Sequence, residues 1–126
     1  MVDESGSIGT GSFNVTKSFL SQLVGLLDVD SGNTRMGLVT FSSSARKHFD
    51  LTTHSSASSI QSAILSLRYS RGSTNTAGAL SYVRTTMLTS AAGDRPNVPN
   101  VVVLMTDGKS NNEAATVVSK QLNISL

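Results

Sequence analysis

The chain reads as an α/β domain with a doubly wound, mostly parallel sheet and helices on both faces. Three observations carry that expectation. Segments with apolar residues at helical spacing alternate with short β-branched and apolar runs. The run Val101-Val102-Val103-Leu104-Met105 is continuously apolar, as in a parallel strand buried on both faces. Clusters of Ser, Asn, Asp and Gly punctuate the chain between these segments.

Each element follows in order. Met1 and Val2 are an apolar stub before Asp3-Glu4-Ser5-Gly6-Ser7. Residues 12–27 predict the first helix, with Leu20, Leu23, Val24 and Leu27 on one stripe, Phe13 and Phe19 extending it, and Gly11-Ser12 as its start signal. A polar turn at 28–34 leads to a strand at 35–42, then a serine-rich turn and a strand at 46–51, together an antiparallel hairpin. Helices are expected at 55–67, from Ile60, Ile64 and Leu67, and at 76–88, from Leu80, Val83, Met87 and Leu88. Residues 94–99 form a loop holding both prolines, 101–105 the buried strand and 113–122 a last helix, after which 124–126 begins another strand.

Composition bounds the function. A chain of 126 residues with 38% apolar side chains and no tryptophan is at most one domain with a real core. Ten basic and eight acidic residues give a net charge of +2, and the basic ones are scattered, so nucleic acid is not an expected partner. The only basic pair, Arg46-Lys47, reads as a solvated strand edge. There is no cysteine, hence no disulfide framework and no thiol chemistry. The longest apolar run is too short to span a bilayer, and no membrane insertion is expected. Two sequons, at Asn14 and Asn123, are permissive of secretion.

The chemistry gathers in three places. In Asp3-Glu4-Ser5-Gly6-Ser7 alternation lets Asp3, Ser5 and Ser7 face one way while Glu4 points elsewhere, which suits a hard dication such as Mg²⁺ that prefers oxygen ligands. Asp107 follows the apolar run, at the strand edge where ligands of open α/β sheets gather. Between them, Gly72-Ser73-Thr74-Asn75-Thr76 enters a helix and offers Thr74 or Thr76 as a further oxygen donor. Singly, each motif also suits a turn or a helix cap, and one of the two threonines is expected to serve as a cap.

Taken together, these motifs resemble the von Willebrand factor type A domain, closest to those of matrilins and globular-domain collagens. The resemblance spans nearly the whole chain and implies a metal-ion-dependent adhesion site with Asp3, Ser5, Ser7, Thr74 and Asp107 at its five positions. It further implies Mg²⁺ or Mn²⁺ as the ion, a partner protein whose Asp or Glu completes the shell, collagen or another matrix or cell-surface protein as that partner, and an extracellular setting. An intracellular scaffold with the same site is the alternative. Members of the family begin with a full apolar strand, whereas here two residues precede Asp3, so residues 1–126 are expected to be a single partial domain lacking most of its first strand and its C-terminal elements, and to be marginally stable. No catalytic residue is assigned. A Mg²⁺-dependent hydrolase would need a base beside the metal, whereas His48 and His54 lack the spacing and read as surface side chains.

Overall fold

The computed structural model describes residues 1–106. The expected helix at 113–122, the strand at 124–126, the sequon at Asn123 and Asp107 lie outside the described residues. The elements run β1 (Val2–Asp3), α1 (Thr10–Gly25), β2 (Leu38–Phe41), β3 (Ala45–Phe49), α2 (Ala57–Leu65) and α3 (Thr76–Tyr82), the last continuing into a π-helical turn over Val83–Met87. β1 lies parallel to β2, with Val2 opposite Thr40, and β2 is antiparallel to β3. On the other side of β1, Met105 bridges Val2 in parallel, and the Asp3 N–H donates to the Met105 carbonyl at 2.8 Å.

Helices cover both faces of this sheet, as expected. Because successive strand side chains point oppositely, Leu38 joins Val2, Phe13, Leu20, Val24, Ile60 and Ile64 in a core under α1 and α2, while Val39 packs with Val83 and Met87 on the other face. A bulge on β3 lets it serve both layers. Leu38 pairs with Phe49 but Val39 with Lys47, leaving His48 as the extra residue, so Ala45 packs toward the second cluster and Phe49 belongs to the first.

Five expectations are corrected. The first helix begins at Thr10 rather than residue 12, with Gly9 at φ 81° as the residue before it, and Phe19 is 50% exposed instead of extending the apolar face. The third helix is not α-helical to residue 88: after Tyr82 the Leu88 N–H reaches the Val83 carbonyl, five residues back, and Thr85 Oγ1 donates to the Ser81 carbonyl. Its cap is neither Thr74 nor Thr76, because Asn75 Oδ1 accepts the Gly78 N–H at 3.0 Å. Residues 101–105 are not buried on both faces, since Val101 is 61% and Val103 39% exposed. Among the described residues only the β1 edge of this segment is paired, and the faces of a parallel segment are buried by helices packed over them, which an apolar run does not by itself supply.

Candidate metal centre

The candidate ligands collect at one end of the sheet. β1 ends at Asp3, which is 2% exposed, and the chain then turns through Ser5, also buried, to an exposed Ser7 before α1 begins. The Asp3 carboxylate is held at both oxygens: the Ser5 N–H donates to Oδ1 at 2.8 Å and the Thr106 hydroxyl to Oδ2 at 2.7 Å. The Ser5 and Ser7 hydroxyl oxygens lie 3.2 Å apart. Two hydroxyls at that separation beside an oriented carboxylate offer oxygen donors of the kind a hard dication takes.

The Thr74 loop is tied to this turn through backbone. The Gly6 N–H donates to the Gly72 carbonyl at 2.8 Å, and the Asn75 N–H to the Ser42 carbonyl at 2.8 Å, so the β1–α1 turn, the β2–β3 turn and the loop before α3 form one rim. Ser43 and Ser73 hydroxyls, 2.9 Å apart, add a further link. Thr74 itself is buried at 8% exposure. Thus Asp3, Ser5 and Ser7 share one turn, and Thr74 sits on the loop joined to it; Asp107 follows Thr106, outside the described residues.

Other charged groups near the turn are engaged elsewhere. Glu4 is buried, and its carboxylate accepts from Arg46 at 3.1 Å, so alternation does carry it away from its neighbours. Arg46 is therefore more than a solvated edge residue, although its side chain remains 55% exposed. His48 lies on the surface, as expected, within 2.7 Å of Thr40 Oγ1; burial first, then the Arg46 guanidinium, lowers its pKa from the ordinary 6.5, against an opposing pull from Glu4. His54 packs edge-on against Phe49. Among the described residues, no three His, Cys, Asp or Glu side chains cluster to hold a metal.

Sequence reasoning did not single out Thr106, Tyr69 or the Glu4–Arg46 pair. Thr106 stood next to Asp107 in the chain and was the one with a local signal. The other two arise from contacts 42 to 64 residues apart in sequence, which spacing does not encode.

The von Willebrand factor type A domain family model matches residues 1–125. The chain belongs to that family. Similar type A relatives include the collagen alpha-4(VI) chain of Mus musculus, 40% identical over 93% of this chain, and matrilin-4 of Homo sapiens, 37% identical over 90%. The chain spans 5% of that collagen's length and 19% of that matrilin's. Among solved structures, proximal thread matrix protein 1 of the mussel byssus, with a zinc-occupied MIDAS motif, superposes with a TM-score of 0.84 at 26% identity, covering 98% of this chain and 35% of that one. The manganese-loaded TRAP protein of Plasmodium vivax shares the fold at a TM-score of 0.83 and 24% identity, covering 98% of this chain and 52% of that one.

Proposed function

We propose that this type A domain is a divalent-cation-dependent protein-binding module, in which Asp3, Ser5, Ser7, Thr74 and Asp107 hold Mg²⁺ or Mn²⁺ and a partner carboxylate takes the remaining position. The observation that carries this reading is the Ser5–Ser7 hydroxyl pair, 3.2 Å apart, beside an Asp3 carboxylate already oriented by two hydrogen bonds. The zinc-occupied site of the mussel byssus relative supports a divalent cation at this end of the fold. Three of the five donors are uncharged hydroxyls and the two carboxylates do no more than balance the dication, so its open position still favours an anionic oxygen of an Asp or Glu.

The domain acts by binding and not by covalent chemistry. In support, Glu4 is taken up by Arg46 and His48 by Thr40, so neither is poised as a base on the serine turn. Similarity to a collagen VI chain, a matrilin and a thread matrix protein favours an extracellular setting and a matrix or cell-surface protein, collagen included, as partner.

Calorimetric titration of Mg²⁺ and Mn²⁺ into the wild type, Asp3→Ala and Ser5→Ala tests the site. One-site saturation in the wild type and its loss in both variants is expected. Binding that survives in Asp3→Ala, or its absence from the wild type, refutes the assignment. For the adhesive role, capture of immobilised collagen should vanish with chelator, and capture indifferent to chelator counts against a metal-bridged contact.

A further inference from the structure

The turn that presents Ser5 and Ser7 is spanned by one side chain from a distant loop. Tyr69, four residues past the end of α2, donates its hydroxyl to the Ser5 carbonyl at 2.6 Å and accepts the Gly9 N–H at 3.0 Å. Those two backbone groups stand four residues apart, the pair that an α-turn would join directly. Here the phenol is inserted between them, and the Ser5 carbonyl also accepts the Ile8 N–H at 3.2 Å. The ring is fixed in turn. It stacks on Phe13 of α1 with centroids 5.0 Å apart, and the Arg71 guanidinium lies over it at 5.5 Å. Three residues after Tyr69, the Gly72 carbonyl holds the Gly6 N–H within the same turn.

From this geometry we infer that Tyr69 is the positioning residue of the metal centre, wedging the Ser5–Gly9 turn open so that the Ser5 and Ser7 hydroxyls face one space. The inference rests on the function proposed above and adds how the turn keeps its shape. Gly9 makes the wedge feasible from the other side: at φ 81° it adopts a backbone that few side-chain-bearing residues take up, and it aims its N–H at the phenol. Without the hydroxyl, the Gly9 N–H loses its acceptor and the turn is free to close on itself. The hydroxyl pair would then lose its alignment while the fold stays intact, because Phe at position 69 keeps both ring contacts.

Tyr69→Phe separates the hydroxyl from the ring. Mn²⁺ affinity measured by calorimetry should weaken roughly tenfold, the scale for removing a group that orients metal ligands, and the Gly9 amide should exchange faster by NMR. Tyr69→Ala, which also removes the stack, should lower Tm further but weaken Mn²⁺ binding no more than about as much again. A Tyr69→Phe variant that binds Mn²⁺ like the wild type, whatever its Tm, overturns the inference. Should the wild type bind no Mn²⁺, the proposed function falls and the amide decides alone: unchanged exchange overturns the wedge, faster exchange sustains it.

Discussion

Glu4 stands between two candidate ligands, yet its carboxylate is buried against Arg46 on β3, and that placement sets what each partner's loss should do. Arg46 is 55% exposed, so water screens part of the attraction and the pair falls between a surface bridge and a buried one. Arg46→Ala strands a buried carboxylate and should cost about 1–2 kcal/mol of stability. Adding Glu4→Gln should recover most of that in denaturant unfolding, and a double variant no better than the single would refute the coupling. His48, on the bulge beside this pair, gives a pH signature. Its pKa is lower in the folded protein than the ordinary 6.5, so the unfolded chain binds the proton first and stability falls as pH drops through 6.5. The carboxyls of Asp28 and Asp50, lowered mainly by hydrogen bonds, act only below about pH 4. The His48 share is therefore read by difference: between pH 7.5 and 5, His48→Gln should lose less stability than the wild type, and parallel curves would exclude it.

Helical spacing carried the elements well, but it placed Phe19 on a face where it has no partner and ran the third helix past Tyr82 into the π-helical turn. In α2, Ile60 and Ile64 are both fully buried against α1 and the sheet, as their spacing requires. In α1, Phe13, Leu20 and Val24 occupy the inner stripe, and Phe19 and Val15 lie on the outer surface at 50% and 70% exposure. Composition treats those two groups alike. Stability should not: Ile64→Ala leaves a cavity and should cost about 2–5 kcal/mol, whereas Phe19→Ser should stay within about 0.5 kcal/mol. Similar losses for both in chemical unfolding would mean that the outer face of α1 is packed. The start of α3 shows a second limit. Thr74, Asn75 and Thr76 all carry capping side chains, and only backbone geometry selects Asn75, since both threonines are buried behind it. The π-helical turn had no signal in spacing, because Val83 and Met87 stand four residues apart, a spacing that also suits an α-helix, and both pack on Val39.

At the scale of the whole molecule, the motifs were legible because their residues carry chemistry, and the scaffold joining them was not, because it consists of backbone bonds between distant loops. Asp3, Ser5 and Ser7 stood out from residue type and alternation, and Thr74 was told from Thr76 only by the family resemblance; the Gly6–Gly72 and Asn75–Ser42 bonds that bring their loops into one rim did not stand out. The apolar run 101–105 misled for a related reason: burial on both faces depends on the layers packed over a strand and not on its own composition, and Val101 and Val103 are exposed. Three loops meeting at one rim also predict how the ion should act on stability. A cation that binds only where the loops converge has no affinity for the unfolded chain, so it must raise stability by mass action, by about 2.7 kcal/mol at a hundredfold excess over Kd. Thermal unfolding with Mn²⁺ added stepwise should therefore show Tm climbing with concentration and collapsing to the chelated value when EDTA is supplied. Asp3→Ala should abolish the rise because it removes one of the two carboxylates proposed to hold the ion. Arg46→Ala should keep it, shifted down by a constant amount, because that pair supports the fold without touching the ion. A Tm that ignores Mn²⁺ in the wild type would leave the rim as a purely protein-built junction.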